Sequence, residues 1–109
     1  MDSILTSIKK LLGITEEYTH FDTDLIIHIN SVFATLTQLG VGPYEGFVIV
    51  DKNDNWEQFT SDNILIESVK SYMYLKVKLL FDPPTSSAVI ESYKQMINEF
   101  EWRLNVAAE

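Results

Sequence analysis

The chain reads as a mainly α protein: a four-helix bundle with a small β-hairpin inserted between the second and third helices. Three observations predict this class. Leu25, Ile29, Val32, Leu36 and Leu39 recur at the spacing of one helix face. Residues 64–81, ILIESVKSYMYLKVKLLF, are apolar around most of their circumference and stop just before Pro83 and Pro84. Residues 41–63 lie between these two segments and abandon the helical period, with β-branched residues and turn formers in its place.

The first helix is short. Asp2 or Ser3 caps its start, Ile4, Ile8, Leu11 and Leu12 form its apolar stripe, and Gly13 stands where a left-handed C-terminal cap belongs. Lys9 and Lys10 fall in its last turn, where the helix dipole favours cations. A basic amphipathic helix is also a membrane-surface pattern. Three turns with two lysines fit docking on the protein's own core better.

A polar connector, residues 15–20, leads to the second helix. Asp22 is its expected N-cap, Asp24 lies in its first turn, and Ile26 and Phe33 widen the core face. The run LGVGP ends it at Gly40. FVIV, residues 47–50, is too short and too β-branched for a helix and reads as a strand. WEQFT, residues 56–60, alternates apolar and polar and reads as its mate across the turn DKNDN. Two strands alone are marginal in water, so the hairpin must lean on helices or on a partner chain.

Ser61 or Asp62 caps the third helix, and Pro83 terminates it by removing a backbone donor and disfavouring helical geometry at Asp82. Leu65, Val69, Tyr72, Met73 and Leu80 are its expected core contacts. Tyr74, Phe81 and Leu79 are left as surplus apolar surface. Ser86 or Ser87 caps a last helix reaching about Asn105, with the stripe Val89, Tyr93, Met96, Ile97, Phe100 and Leu104. Trp102 lies about 200° around that helix from Phe100, at 100° per residue, and so off its core face.

Size and charge narrow the function. The 109 residues suit one domain, spanning 1–109, large enough to bury roughly two-thirds of its unfolded surface without metal or disulfide. Cysteine is absent, and neither a secretory signal nor a membrane-spanning run is present, which reads as a soluble, intracellular chain. Sixteen acidic residues against eight basic ones give a formal net charge of −8. Such a chain has no general attraction to nucleic acid, whose binding rests on cations that displace phosphate counterions.

No residue pattern argues for catalysis. Asp51, Asn53, Asn55 and Asp62 match four positions of a calcium loop, but Trp56 occupies the glycine position and the flanks read as strands. His20, Asp22, Asp24 and His28 form the other ligand-like group, better explained by a helix start than by a closed metal site. Neither a phosphate-cradling glycine loop nor a nucleophile-base pair is found, so the expectation is a non-enzymatic protein without cofactor. The aromatics say more. Thirteen are many for a small bundle, and Tyr and Trp are the residues interfaces enrich. Trp56, Phe59, Tyr74, Phe81 and Trp102 are the expected partner or subunit contacts, in the hairpin or off the principal stripes.

The segments FDTDLIIHINSVFATLTQLGVGP, VKSYMYLKVKLLFDPP and SYKQMINEFEWRLN, in this order and with an insertion after the first, resemble the head-tail connector (adaptor, or head completion) proteins of long-tailed bacteriophages. INSVF with LGVGP, and KLLFDPP leading into SSAVIESY and EFEWRLN, are the most specific pieces. The resemblance implies a structural virion protein. Its copies would assemble in host cytoplasm and sit at the head-tail junction as a ring, typically twelve-fold, between the portal and the next tail-side protein. DNA would pass through without specific binding, and no membrane is involved. Closed rings need two different complementary patches per subunit, which would cover the surplus apolar surface. Residues 44–63 carry five acids against Lys52. Glu45, Asp51, Asp54 and Glu57 are the candidate channel-facing acids, keeping a duplex from adhering. The rival reading is a small helical interaction adaptor that forms no ring.

Overall fold

The computed structural model describes residues 2–108. Five helices follow in order: α1 (Ile4–Leu12), α2 (Asp22–Gln38), α3 (Trp56–Phe59), α4 (Asn63–Phe81) and α5 (Ser87–Ala108). The central element is α4, which packs against α1, α2 and α5, while α1 also touches α2. Its buried side chains, Ile66, Val69, Tyr72, Met73, Leu75 and Val77, face several neighbours at once, as so apolar a helix requires. The principal extents are 36 × 35 × 20 Å, a slab about two helices thick.

Helix ends follow local chemistry. Ser3 Oγ accepts the Thr6 N–H at 3.2 Å and opens α1. Asp62 Oδ1 accepts the N–H groups of Ile64 (3.0 Å) and Leu65 (3.1 Å) and opens α4, and Ser86 Oγ accepts Val89 N–H (3.3 Å) at the head of α5. Both α1 and α2 close in the same glycine motif. Gly13 N–H reaches Lys10 C=O and Ile14 N–H reaches Lys9 C=O, at 3.1 and 2.8 Å. Gly40 N–H and Val41 N–H reach Thr37 and Leu36 in the same way, at 3.0 and 2.8 Å, with Gly13 and Gly40 both at positive φ. Asp22 is the first residue of α2 and not its cap. Phe21 holds the cap position without a side-chain bond, and the Asp22 carboxylate turns to Lys9.

The expected β-hairpin is absent: among the described residues there is one isolated antiparallel bridge, Ser3 with Asn55, and no strand. Residues 56–59 form one helical turn because Asn55 and Gln58 build a capping box. Asn55 Oδ1 accepts Gln58 N–H (3.2 Å) while Gln58 Oε1 accepts Asn55 N–H (2.9 Å). Trp56 and Phe59, three residues apart, share one face of that turn and both enter the core. The alternation expected of a strand does not hold here: Glu57 and Gln58 are both polar, and Trp56 with Phe59 is a helical i,i+3 pair. Residues 47–50 are consequently left without a strand mate.

Further placements differ from expectation: Leu11, Val89 and Met96, assigned to the apolar stripes of their helices, are exposed. Leu80 is 54 % exposed where a core contact was expected. Lys9 is buried within α1, where a surface lysine serving the helix dipole was expected.

Candidate functional site

In a chain without catalytic pattern, the candidate functional site is the surface that the fold leaves apolar. Along α5, Ile97 and Leu104 are buried and Tyr93 and Phe100 half-buried, while Val89, Met96, Trp102 and Val106 are exposed. Trp102, at 68 % exposure, is the largest of these side chains and stands clear of the core. A second exposed set comes from other elements: Ile27 on α2, and Tyr44, Val48 and Val50 in the connection that follows it.

The inner side of α5 is fixed by a polar tie to α4. The Tyr72 hydroxyl donates to Glu101 Oε2 at 2.7 Å, and Lys76 Nζ lies 3.5 Å from the same oxygen and 5.6 Å from the Tyr72 ring centroid. Burial pushes the Tyr72 phenol well above its ordinary value, and the bond to Glu101 and the carboxylate's charge push it further. Two residues further along α4, Tyr74 meets Tyr93 hydroxyl to hydroxyl at 3.4 Å, which raises the Tyr74 phenol, with burial adding to it. These ties orient α5 so that Trp102 and Met96 look outward.

The five candidate contact residues separate in the structure. Trp56 is 2 % and Phe59 4 % exposed, so both serve the subunit's own core and not its free surface. The Trp56 indole N–H donates to Ser7 Oγ at 3.2 Å, and Phe59 stacks with Phe33 and Phe47 at centroid distances of 5.1 and 5.6 Å. Gly42 makes room for this: a Cβ there would overlap the Phe59 ring, and its φ of 89° suits glycine. Tyr74 and Phe81 are half-buried, Phe81 lying edge-on to Phe21 at 5.1 Å. Trp102 alone of the five is fully presented.

The candidate acids lie on and beside the loop that precedes α3. Glu45, Asp51 and Glu57 are exposed. Asp54 is half-buried and structural: its Oδ2 accepts the N–H groups of Val50 (2.6 Å) and Asp51 (3.3 Å), while Asp51 Oδ1 accepts Asn53 N–H (2.8 Å). The calcium-loop residues are thus occupied as turn and helix caps, Asn55 for α3 and Asp62 for α4. Among the described residues no group of three or more His, Asp and Glu converges as a metal site, and no helix is long and apolar enough to cross a membrane.

One polar residue with an organising role escaped the sequence reading. Lys9 Nζ donates to the carbonyls of Glu16 (3.0 Å) and Tyr18 (2.8 Å) and lies 2.9 Å from Asp22 Oδ1, an atom with no other partner. The approach to Asp22 is off the hydrogen-bond direction, so the attraction there is mainly coulombic. The three contacts clamp the α1–α2 connection over the core. The signal was present: Leu5, Lys9 and Leu12 fall at i, i+4 and i+7, on the buried face.

The structure thus combines a fixed helical core with an outward tryptophan on α5 and exposed valines on an extended segment. No curated protein and no solved structure matched the chain. A family model described as phage connector protein matches residues 4–109, nearly the whole length. The chain belongs to the phage connector protein family.

Proposed function

We propose that this protein is a structural virion subunit that assembles as a ring, twelve-fold, between the capsid portal and the next tail-side protein, with residues 1–109 acting as one connector domain. The observation that carries the reading is the apolar surface of α5 and of the α2 side, exposed on separate elements. A closed ring uses heterologous contacts, so each copy needs two unlike complementary patches. Trp102 on α5 supplies a candidate for one, and Ile27 and Tyr44, on and after α2, for the other. Tyr74 and Phe81, half-buried, are further candidates for contact. Subunits would associate in the host cytoplasm and remain at the head-tail junction of the particle. The role is architectural and non-enzymatic.

Glu45, Asp51 and Glu57, with the net charge of −8, support a lining that DNA passes without adhering, because like charge disfavours contact. The test is mass photometry and negative-stain imaging of the purified chain, alone and mixed with the portal ring of the same phage. Rings seated on portals are the expected result. A chain that stays monomeric at every concentration and leaves portals bare would sink the reading and favour a small non-ring adaptor.

A further inference from the structure

The FVIV stretch has strand composition, and the fold gives it no strand partner. Phe47 is half-buried, Val48 exposed, Ile49 buried and Val50 exposed, the period-two pattern of an extended chain. Its inner edge is satisfied by α2. Asn30 Nδ2 donates to Ile49 C=O at 3.0 Å and Asn30 Oδ1 accepts Ile49 N–H at 2.8 Å, so one side-chain amide does the work of a neighbouring strand's peptide group. In an extended chain successive peptide groups address opposite edges. Val48 and Val50 therefore address the outer one. There Val50 N–H is taken by Asp54, while Val48 N–H and C=O have no partner among the described residues. Proteins usually blunt such an edge with lysine, proline or a bulge, and residues 47–50 contain none of these.

Two features beside the edge describe what would cover it. A groove of about 380 Å³ lies on the α2 side of the segment, lined by Asn30, Ala34, Thr37, Phe47 and Val48 among others, with room for one or two apolar side chains that reach past Val48. Exposed Glu45 and Asp51 bracket the segment at its two ends. We propose that residues 47–50 are a docking edge for an extended segment of a partner protein, which adds as a β-strand on Val48. The incoming segment carries alternate apolar residues over Val48 and Val50 and a Lys or Arg at each flank to meet Glu45 and Asp51. Main-chain bonds supply the affinity and the groove and acids the selection. The proposal holds whether or not the subunit forms a ring.

The experiment uses the full chain, labelled for amide NMR, and a synthetic peptide of alternating valine and threonine with lysine at both ends. The expected result is a saturable shift of the Val48 amide and at least a tenfold slowing of its hydrogen exchange. The same peptide N-methylated at alternate residues, and the variant Val48→Pro, should each lose binding, while Val48→Thr, which keeps the N–H, should retain it. A thermal melt of Val48→Pro separates loss of the donor from loss of the fold. No change at Val48 in millimolar peptide, or equal binding of the N-methylated peptide, overturns the proposal. Val48 protection that grows with protein concentration alone assigns the edge to a second copy and overturns it too.

Discussion

α2 and α5 are both long amphipathic helices of one small protein, and they use their length in opposite ways. α2 buries Leu25, Ile29, Val32, Phe33 and Leu36 in 17 residues, whereas α5 buries Ile97 and Leu104 in 22. α2 lies on α4, with Phe47, Trp56 and Phe59 stacked on Phe33. α5 has α4 for its main support and keeps half its apolar side chains outside. Apolar residues at similar density can thus specify a core in one helix and leave an exposed apolar surface on the next. The difference is set by how many elements surround each helix, which periodicity does not encode.

The largest effect that would test this contrast comes from Phe33→Ala. It removes the ring against which three other aromatics pack, and core truncations of this kind cost about 3–5 kcal/mol. Urea denaturation should show a stability loss of this order, and Met96→Ala in α5 less than about 1 kcal/mol. Equal losses in the two variants would mean that α5 is as much core as α2.

Next in size is the clamp at the start of α2. Lys9→Ala leaves the Asp22 carboxylate without its cation and two carbonyls without a donor, and breaking a buried pair costs about 3–5 kcal/mol. Asp22 keeps a quarter of its side-chain surface in water, so a loss of about 2–3 kcal/mol is expected here. Adding Asp22→Asn should restore part of it, since the uncompensated charge is then gone. No recovery in the double variant would show that the carbonyl bonds carry the whole effect. The head of α5 carries a single side-chain cap bond, from Val89 N–H to Ser86 Oγ, among the described residues, and Ser86→Ala should cost about 1 kcal/mol or less.

A smaller effect reads the tie between α4 and α5. The Tyr72 phenol is raised in the folded state, so it stays neutral at a pH where the unfolded chain's tyrosine begins to ionise near its ordinary value. Its contribution is fully present below that value and is lost as pH rises above it. Stability should therefore fall through the alkaline range, and spectrophotometric titration of the folded protein should show one tyrosine ionising only with unfolding. Tyr72→Phe should flatten the alkaline slope. An unchanged slope would place the alkaline loss elsewhere.

Much of the fold was legible: α1, α2, α4 and α5 follow from spacing, Asp62 and the glycine stops, because these are local signals. The hairpin was not: Trp56 and Phe59 are three residues apart and would point to opposite faces of a strand, so WEQF fits an i,i+3 helical pair and not a period of two, and the Asn55–Gln58 capping box completes that turn. Lys9 was hidden by its chemistry: a lysine next to another lysine looks like a solvated end, and its partners Glu16, Tyr18 and Asp22 gather only after the chain turns at Gly13. Among the contact candidates, Trp102 was placed outward by helix geometry alone. Trp56 and Phe59 were misread because their exposure depended on the hairpin.

Trp102→Ala is the smallest expected change to the subunit and the sharpest test of the contrast. The ring is 68 % exposed, so its removal should move monomer stability by no more than about 0.5 kcal/mol. An exposed tryptophan buried at a subunit contact commonly accounts for 2 kcal/mol or more of binding. Ring formation on portals should then need at least tenfold more Trp102→Ala protein, about 1.4 kcal/mol per tenfold. Substituting Val106→Ala on the same helix, a smaller side chain that is 47 % exposed, should shift assembly less. If Trp102→Ala melts like the parent and assembles like the parent, α5 presents its apolar side chains to water for no binding purpose, and the ring contacts must be sought on the α2 side, at Ile27 and Tyr44.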